Sequence, residues 1–259
     1  YNSFSDGLAA TTSHKAQIWP LLNWQRLPGI TAVVDPSLLK ICQKNNPDPR
    51  LFFVGGVSDG TVGAAAMPLV SDGGLSVHKS FFFVDGGFVA LGAHLTAVHP
   101  KSASDSANAR TQADADAVTT TTVDARLLSV AHPLVVHTGS KRINASQLLP
   151  SQSPHRFGAD AGADNGLAWV WHDGVGYANL LRSGKSSSSS SGSSSFVVYN
   201  ANRSGDWSTL GAHSGYVTLP VFELGLQHGP GGSGLGADGY AYSVTANTSL
   251  ADFEQTMLP

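Results

Sequence analysis

The 259-residue chain has a single cysteine, and only two of its 18 acidic residues, Glu223 and Glu254, are glutamates. The lone Cys42 excludes an internal disulfide framework. With only 13% charged residues, the chain lacks the Glu and Lys that long amphipathic helices need on their polar face. No segment approaches the roughly 20 apolar residues of a membrane span. The net charge of −3 offers no basic surface for nucleic acid or an anionic membrane, and we expect neither as a partner.

The residues that are abundant favour strands and turns. The chain has 29 glycines and 13 prolines, and short apolar runs alternate with turn residues throughout. Asp-Gly pairs mark tight hairpins, most clearly Asp59-Gly60, Asp85-Gly86 and Asp173-Gly174. We therefore predict an all-β protein with strands at 31–34, 51–54, 64–69, 80–84, 88–91, 119–123, 168–172, 196–199, 217–224 and 240–245.

Two segments interrupt this pattern without ending it. Residues 101–117 are rich in Ser, Ala and Asp, and residues 185–195 are almost entirely serine. Neither can bury apolar area, and strand patterns resume after each. We interpret both as loop insertions within a single domain, 1–259.

Three N-glycosylation sequons begin at Asn144, Asn202 and Asn247. Their Ser/Thr-rich surroundings favour a secreted eukaryotic protein. The chain opens on Tyr1 without an initiator Met or a signal peptide, which is the pattern of a processed or truncated piece.

Two short motifs formally match known sites. Gly56-Val57-Ser58-Asp59-Gly60 fits the G-x-S-x-G nucleophile pattern, but a strand rather than a helix is predicted to follow it. We interpret it as a tight hairpin, and labelling of Ser58 by a fluorophosphonate would argue for a serine hydrolase instead. Residues 229–234 fit G-x-G-x-x-G, but Pro230 and further glycines favour a loop over a nucleotide site.

Histidines and tryptophans are the remaining candidates. The ten histidines form neither H-x-H nor H-E-x-x-H, so we expect no metal site, and we interpret His172 as a hydrogen-bonded structural residue. Trp169 and Trp171 fall on one face of a predicted strand, where core packing is favoured over sugar stacking. All five tryptophans remain open as sugar platforms: Trp19, Trp24, Trp169, Trp171 and Trp207.

An ordered series of motifs runs through nearly the whole chain. It comprises Ser5-Asp6-Gly7, Trp19-Pro20, the segment 24–31 (WQRLPGIT), 55–60 (GGVSDG), 79–83 (KSFFF), 121–126 (TTVDAR), 171–177 (WHDGVGY), His228-Gly229 and 240–244 (YAYSV). In this order the motifs resemble the central domain of family 8 polysaccharide lyases, which include hyaluronate, chondroitin AC and xanthan lyases. The resemblance implies a large antiparallel β super-sandwich related to galactose-mutarotase-like domains.

The same resemblance implies a chemistry. Family members cleave uronate-containing polysaccharides by metal-independent β-elimination, without a cofactor. Their Asn, His, Tyr and Arg catalytic residues lie on an N-terminal α/α toroid to which no part of this chain corresponds, and the family's small C-terminal β-domain has no counterpart either. The resemblance therefore assigns no catalytic residue here. The family's β-domain Glu precedes the Ser-Asp-Gly turn, which makes Tyr1, Asn2, Ser3 and Asp6 the candidates for substrate-cleft proximity.

Three functions follow in order of preference. The first is the β-domain of a secreted polysaccharide lyase, which forms one wall of the cleft, works with a catalytic toroid domain or chain on an acidic polysaccharide, and is inactive alone. The second is a non-catalytic carbohydrate-binding or scaffold protein that reuses the super-sandwich. The serine hydrolase is third.

Overall fold

A computed structural model describes residues 18–34, 53–70, 75–96, 118–129, 134–138, 141–144, 155–157, 169–181, 195–210, 215–228 and 239–257. Fourteen strands lie within these ranges: β1 Thr31–Val34, β2 Gly55–Ser58, β3 Gly63–Val70, β4 Ser76–Val84, β5 Gly87–Thr96, β6 Val118–Leu127, β7 Val135–Thr138, β8 Lys141–Asn144, β9 His155–Phe157, β10 Trp169–His172, β11 Val175–Asn179, β12 Ser195–Asp206, β13 Tyr216–Gln227 and β14 Tyr240–Thr245. In the same described ranges, helix α1 spans Leu250–Met257, and 3₁₀ turns span Trp19–Leu21 and Trp207–Leu210. The all-β prediction is confirmed.

The strands form two antiparallel sheets. A five-stranded sheet has the order β1-β6-β13-β12-β9, and a nine-stranded sheet has the order β2-β3-β4-β5-β14-β11-β10-β7-β8. Strand β14 pairs with β5 on one side and with β11 on the other. It therefore joins two groups of strands that are distant in sequence.

The main core lies between the two sheets, because its buried side chains come from both. The five-stranded sheet contributes Phe196, Val198, Phe222, Leu224 and Leu226, and the nine-stranded sheet contributes Val77, Val170, Tyr177 and Tyr242 among others. Burial of such side chains provides about 25 cal/mol per Å² of apolar area removed from water. This is the layered packing that a β-sandwich requires.

Each sheet is also covered on its outer face. Trp169 and Trp171 lie on the same face of β10, opposite Val170, and both pack with Val135, Ala178 and Phe253 of α1. The preference for core packing of these two tryptophans is thus confirmed. Ser249 caps α1, since its hydroxyl accepts a bond from the Asp252 amide at 3.1 Å. On the five-stranded sheet, Ile18 and Leu22 cover Ala125.

A β-bulge in β6 changes which residues face the core. The register between β6 and β13 shifts at Leu224 and Gly225, which pair with Asp124 and Thr122 and leave Val123 as the extra residue. As a result Val123 and Asp124 both point inward, and Asp124 accepts a hydrogen bond from the Tyr177 hydroxyl across the core.

Most predicted strands have the correct position in the sequence, but fewer have the correct length. β1 and β14 have the predicted bounds, whereas β12 and β13 each extend to 12 residues. The strand predicted at 51–54 is wrong in position, because residues 53 and 54 precede β2 and residues 51 and 52 lie outside the described ranges. Ser195, assigned to a loop, begins β12; the rest of both predicted insertions lies outside the described residues.

Candidate functional site

Two exposed tryptophans lie side by side over the five-stranded sheet. Trp19 is 41% exposed and Trp24 is 49% exposed. Their ring centroids are 6.3 Å apart, and the planes are nearly perpendicular at 88°. We call this feature the Trp19–Trp24 surface. Indole faces held at an angle in water are suited to contact the C–H faces of pyranose rings.

The segment that carries these rings is anchored by its apolar residues. Pro20 lies in the 3₁₀ turn Trp19–Leu21, and Ile18, Leu21 and Leu22 around it are buried. The turn contacts β12 where Gly205 leaves room, because a Cβ there would lie 1.9 Å from the Pro20 carbonyl oxygen. The two indoles are thus exposed on a backbone that is fixed from below.

An arginine two residues after Trp24 reaches into a buried charge cluster. Arg26 Nη1 donates to Glu223 Oε1 at 3.0 Å, and Arg203 Nη2 donates to Glu223 Oε2 at 2.7 Å. The Glu223 side chain is only 2% exposed, and the Arg26 guanidinium lies 4.5 Å from the Tyr199 ring centroid. Two guanidinium groups share one carboxylate, so the cluster beneath the Trp19–Trp24 surface carries an excess of positive charge.

No local sequence pattern predicts this charge cluster. Glu223 and Arg26 are 197 residues apart, a separation that no local pattern can bridge. One signal was present, since Glu223 is one of two glutamates in the chain and stands inside the apolar run of β13. A carboxylate in such a run is rarely buried without a partner.

A second group of polar side chains is buried at one end of the space between the sheets. The Thr121 hydroxyl lies 2.8 Å from Thr31 Oγ1 and 2.8 Å from His228 Nε2. The His228 ring centroid is 5.4 Å from that of Tyr240. Burial, with a smaller contribution from the positive charge of Lys79, lowers the pKa of His228 to about 4. This imidazole is therefore neutral at physiological pH.

His172 is a structural residue, as its sequence context predicts. It is fully buried, its Nε2 accepts a hydrogen bond from the Ser129 amide at 3.3 Å, and its ring packs on Phe222. Arg126 donates to the His172 carbonyl oxygen and also contacts Asp124. These contacts connect β6 to the β10–β11 turn inside the protein, where no polymer can reach them.

Ser58 lies in a tight hairpin, as predicted. Its hydroxyl donates to the Val62 carbonyl at 2.9 Å and accepts from the Gly60 amide at 3.0 Å. Asp59 Oδ1 accepts from the Thr61 and Val62 amides, and these bonds lower the pKa of that carboxyl. Because antiparallel β3 follows the turn, the strand-to-helix context of a serine nucleophile is missing.

The other candidate residues divide between described and undescribed parts of the chain. Tyr1, Asn2, Ser3 and Asp6 lie outside the described residues, as do 229–234, so the prediction of cleft proximity is not tested. Asn202 on β12 and Asn247 after β14 are exposed, and Asn144 is the last residue of β8. Within the described ranges, no three His, Cys, Asp or Glu side chains are grouped as metal ligands, and no helix has the length and apolar character needed to cross a bilayer.

The fold is shared with solved polysaccharide lyases. A chondroitinase AC lyase, solved in oligosaccharide complexes, aligns with 92% of this chain and 29% of its own at a TM-score of 0.64 and 23% identity. A Paenibacillus xanthan lyase aligns with 94% of this chain and 21% of its own, with a TM-score of 0.64 and 18% identity. A Streptomyces coelicolor A3 chondroitin AC lyase gives a TM-score of 0.57 at 22% identity over 93% of this chain and 25% of its own.

Sequence comparison identifies the family. The family model described as polysaccharide lyase family 8, super-sandwich domain, matches residues 5–257. A stretch of 94 residues, 35% of this chain, is 35% identical to chondroitinase-AC of Pedobacter heparinus. This chain belongs to polysaccharide lyase family 8 through that domain. It spans 13% of the length of the Pedobacter enzyme and under a third of each solved relative.

Proposed function

We propose that this chain is the β-domain part of a secreted polysaccharide lyase that cleaves uronate-containing polysaccharide by β-elimination. In this role it forms one wall of the substrate cleft and works with a catalytic α/α-toroid domain or chain. The observation that carries the proposal is the exposed Trp19–Trp24 surface, which stands beside excess positive charge in a member of a lyase family. Indole faces suit the sugar rings, and the arginine cluster suits their carboxylates.

The reaction assigns different tasks to the two parts. A base removes the C5 proton of the uronate, the C4–C5 double bond forms, and the C4–oxygen bond breaks as the leaving oxygen takes a proton. The negative charge that develops on the carboxylate needs stabilisation. Because the resemblance to family 8 lyases places the base on the toroid, we assign the base to the partner domain and predict that the chain alone is inactive.

Activity measurements test the whole proposal. Native material from which the chain derives is mapped by intact mass, and any co-purifying toroid polypeptide is combined with the chain and an acidic polysaccharide. We expect an unsaturated uronate product, followed by its ultraviolet absorbance, from the combination and none from the chain alone. Absence of product from the combination would contradict the lyase role.

Secretion is part of the proposal and has its own support. Asn202 and Asn247 both begin sequons and have exposed side chains, so oligosaccharyltransferase products would fit at these positions. The same peptide map shows whether they carry glycans. Unmodified peptides at all three sequons would remove this support.

Replacing Trp24 with alanine tests the sugar contact directly. We expect the dissociation constant for acidic polysaccharide to rise about fivefold, because an aromatic contact of this kind contributes on the order of 1 kcal/mol. Titration calorimetry measures the change. Phe82→Ala is the matched control, since Phe82 is 43% exposed but lies on the nine-stranded sheet.

A second function rests on the same surface. If the control and Trp24→Ala bind equally, the Trp19–Trp24 surface is not a sugar contact. If binding depends on Trp24 but no toroid polypeptide accompanies the chain, the non-catalytic carbohydrate-binding role replaces the lyase role, because sugar stacking needs no base.

A further inference from the structure

Lys79 is a lysine buried in the space between the sheets. It lies on β4 and is 4% exposed. Its Nζ donates to the Gly29 carbonyl oxygen at 2.7 Å, which carries the contact from the nine-stranded sheet across to the segment that follows Arg26. Burial of an amine costs stability unless a hydrogen bond and polar neighbours offset it. A methionine at this position has a similar length and would avoid the loss of stability. The presence of a buried amine therefore needs a functional or structural reason.

The Gly29 turn is held from both sheets. Its amide donates to Thr122 of β6 at 2.8 Å, and the Thr122 amide in turn donates to the Ile30 carbonyl at 2.9 Å. From β4, Lys79 bonds the carbonyl oxygen of the same residue, Gly29. Gly29 has a φ of +83°, a left-handed conformation that glycine adopts without strain, so the turn is fixed in a shape that other residues disfavour.

The side chains around Lys79 direct its amine towards the Gly29 carbonyl oxygen. Gly92 pairs with both Lys79 and Tyr240, and a Cβ at Gly92 would lie 2.0 Å from the Tyr240 ring. The Tyr240 ring therefore fills the position beside Lys79. The neutral His228 ring lies next to the Tyr240 ring, with the two centroids 5.4 Å apart. Burial lowers the pKa of the Lys79 amine to about 8. The hydrogen bond to Gly29 persists through this titration, because both the ammonium and the neutral amine can donate.

We propose that Lys79 is a positioning residue for the Trp19–Trp24 surface, which it orients by fixing the Gly29 turn from the opposite sheet. The turn at 27–30 follows Trp24 and Arg26 directly, so a fixed Gly29 restrains the C-terminal side of the segment that carries that indole and guanidinium, whose N-terminal side is anchored by Ile18, Leu21 and Leu22. Lys79 itself touches no sugar. The positioning role stands on the contacts alone, and its consequence for polysaccharide binding rests on the proposed function.

Hydrogen exchange tests the positioning without any ligand. In Lys79→Met we expect the amides of Arg26, Gly29 and Ile30 to exchange about tenfold faster, because the Gly29 carbonyl loses its donor. Amides of β11, Val175–Asn179, are expected to keep their wild-type rates. Tyr242→Phe is the control, since Tyr242 is buried in the same core but is not bonded to the turn.

The outcomes separate a local from a general effect. Faster amide exchange in the turn with unchanged exchange in β11 supports the proposal. Unchanged exchange in the turn, or an equal increase in the exchange rates of the turn and β11, overturns it. Should Lys79→Met fail to fold, Lys79→Gln gives the same decision, because its shorter side chain keeps polarity but reaches Gly29 poorly. Here we expect about threefold faster exchange confined to the turn.

Polysaccharide binding then links this inference to the proposed function. We expect Lys79→Met to weaken binding several-fold, and the double variant with Trp24→Ala to lose little more than Trp24→Ala alone. If the losses of binding free energy in the two single variants add fully in the double variant, Lys79 does not act through the Trp19–Trp24 surface. If the turn loosens but neither Trp24→Ala nor Lys79→Met changes binding, the sugar contact fails while the structural role of Lys79 stands.

Discussion

Glu223→Ala is expected to lower the free energy of unfolding by about 3 to 5 kcal/mol, the range for removing one partner of a buried ion pair. The carboxylate is 2% exposed and accepts from both Arg26 and Arg203, whose side chains are 13% and 23% exposed. Its loss leaves two half-buried guanidinium groups without an anion. Urea unfolding followed by circular dichroism measures the change from the transition midpoint.

An ion pair at the surface provides the control for Glu223. Arg142 and Glu254 are 2.9 Å apart but are 46% and 32% exposed. Glu254→Ala is therefore expected to cost no more than about 1 kcal/mol, as is usual for surface pairs. Equal effects of the two variants would contradict the assignment of Glu223 as the buried anchor of Arg26.

His228 is expected to make the fold sensitive to acid between pH 6.5 and pH 4. Its pKa in the folded protein is about 4, against an ordinary value of 6.5, so the unfolded chain binds the extra proton first as pH falls. Stability contributed by neutral His228 is fully present above pH 6.5 and is lost progressively down to pH 4. The shift corresponds to a loss of about 3 kcal/mol.

A variant without the imidazole isolates this effect from other titrating groups. Among the described residues, Lys79 and Tyr240 are the ionisable side chains that face His228, and neither is expected to change charge between pH 4 and pH 7. Urea midpoints measured at intervals from pH 4 to pH 7 should fall less steeply for His228→Gln than for wild type. Parallel curves would show that His228 is not held neutral by the fold.

The sheet hairpins could be predicted from sequence because their determinants are local. Asp85-Gly86 and Asp173-Gly174 supply the turn conformation, and the positive φ of Gly86, Asp173 and Gly174 shows why these residues stand there. Strand β11 was not predicted, because all five of its residues are buried and it therefore shows no polar alternation. β7 and β8 are only four residues long, which is too short for a clear period.

The candidate site was only partly accessible to sequence reasoning. The alternation of side chains along a strand was enough to place Trp169 and Trp171 on one face of β10, where they are buried. The exposure of Trp19 and Trp24 depends on how a 3₁₀ turn lies over a sheet. The periodicity of apolar residues in the sequence does not predict that packing. Lys79 and Gly29 meet across 50 residues, and their contact exists only once both sheets are in place.

The central place of β14 in the nine-stranded sheet has a consequence for assembly of the molecule. Strands β2 to β5 form one consecutive meander, and β7, β8, β10 and β11 form another group. Among the strands that the structure describes, β14 alone bridges them. During synthesis the two groups emerge long before residues 240–245, so each presents an unpaired edge to solvent until β14 inserts. Late closure of this kind is slow and exposes strand edges that aggregate. We therefore infer that nascent chains stalled before residue 240 are the species most in need of a chaperone.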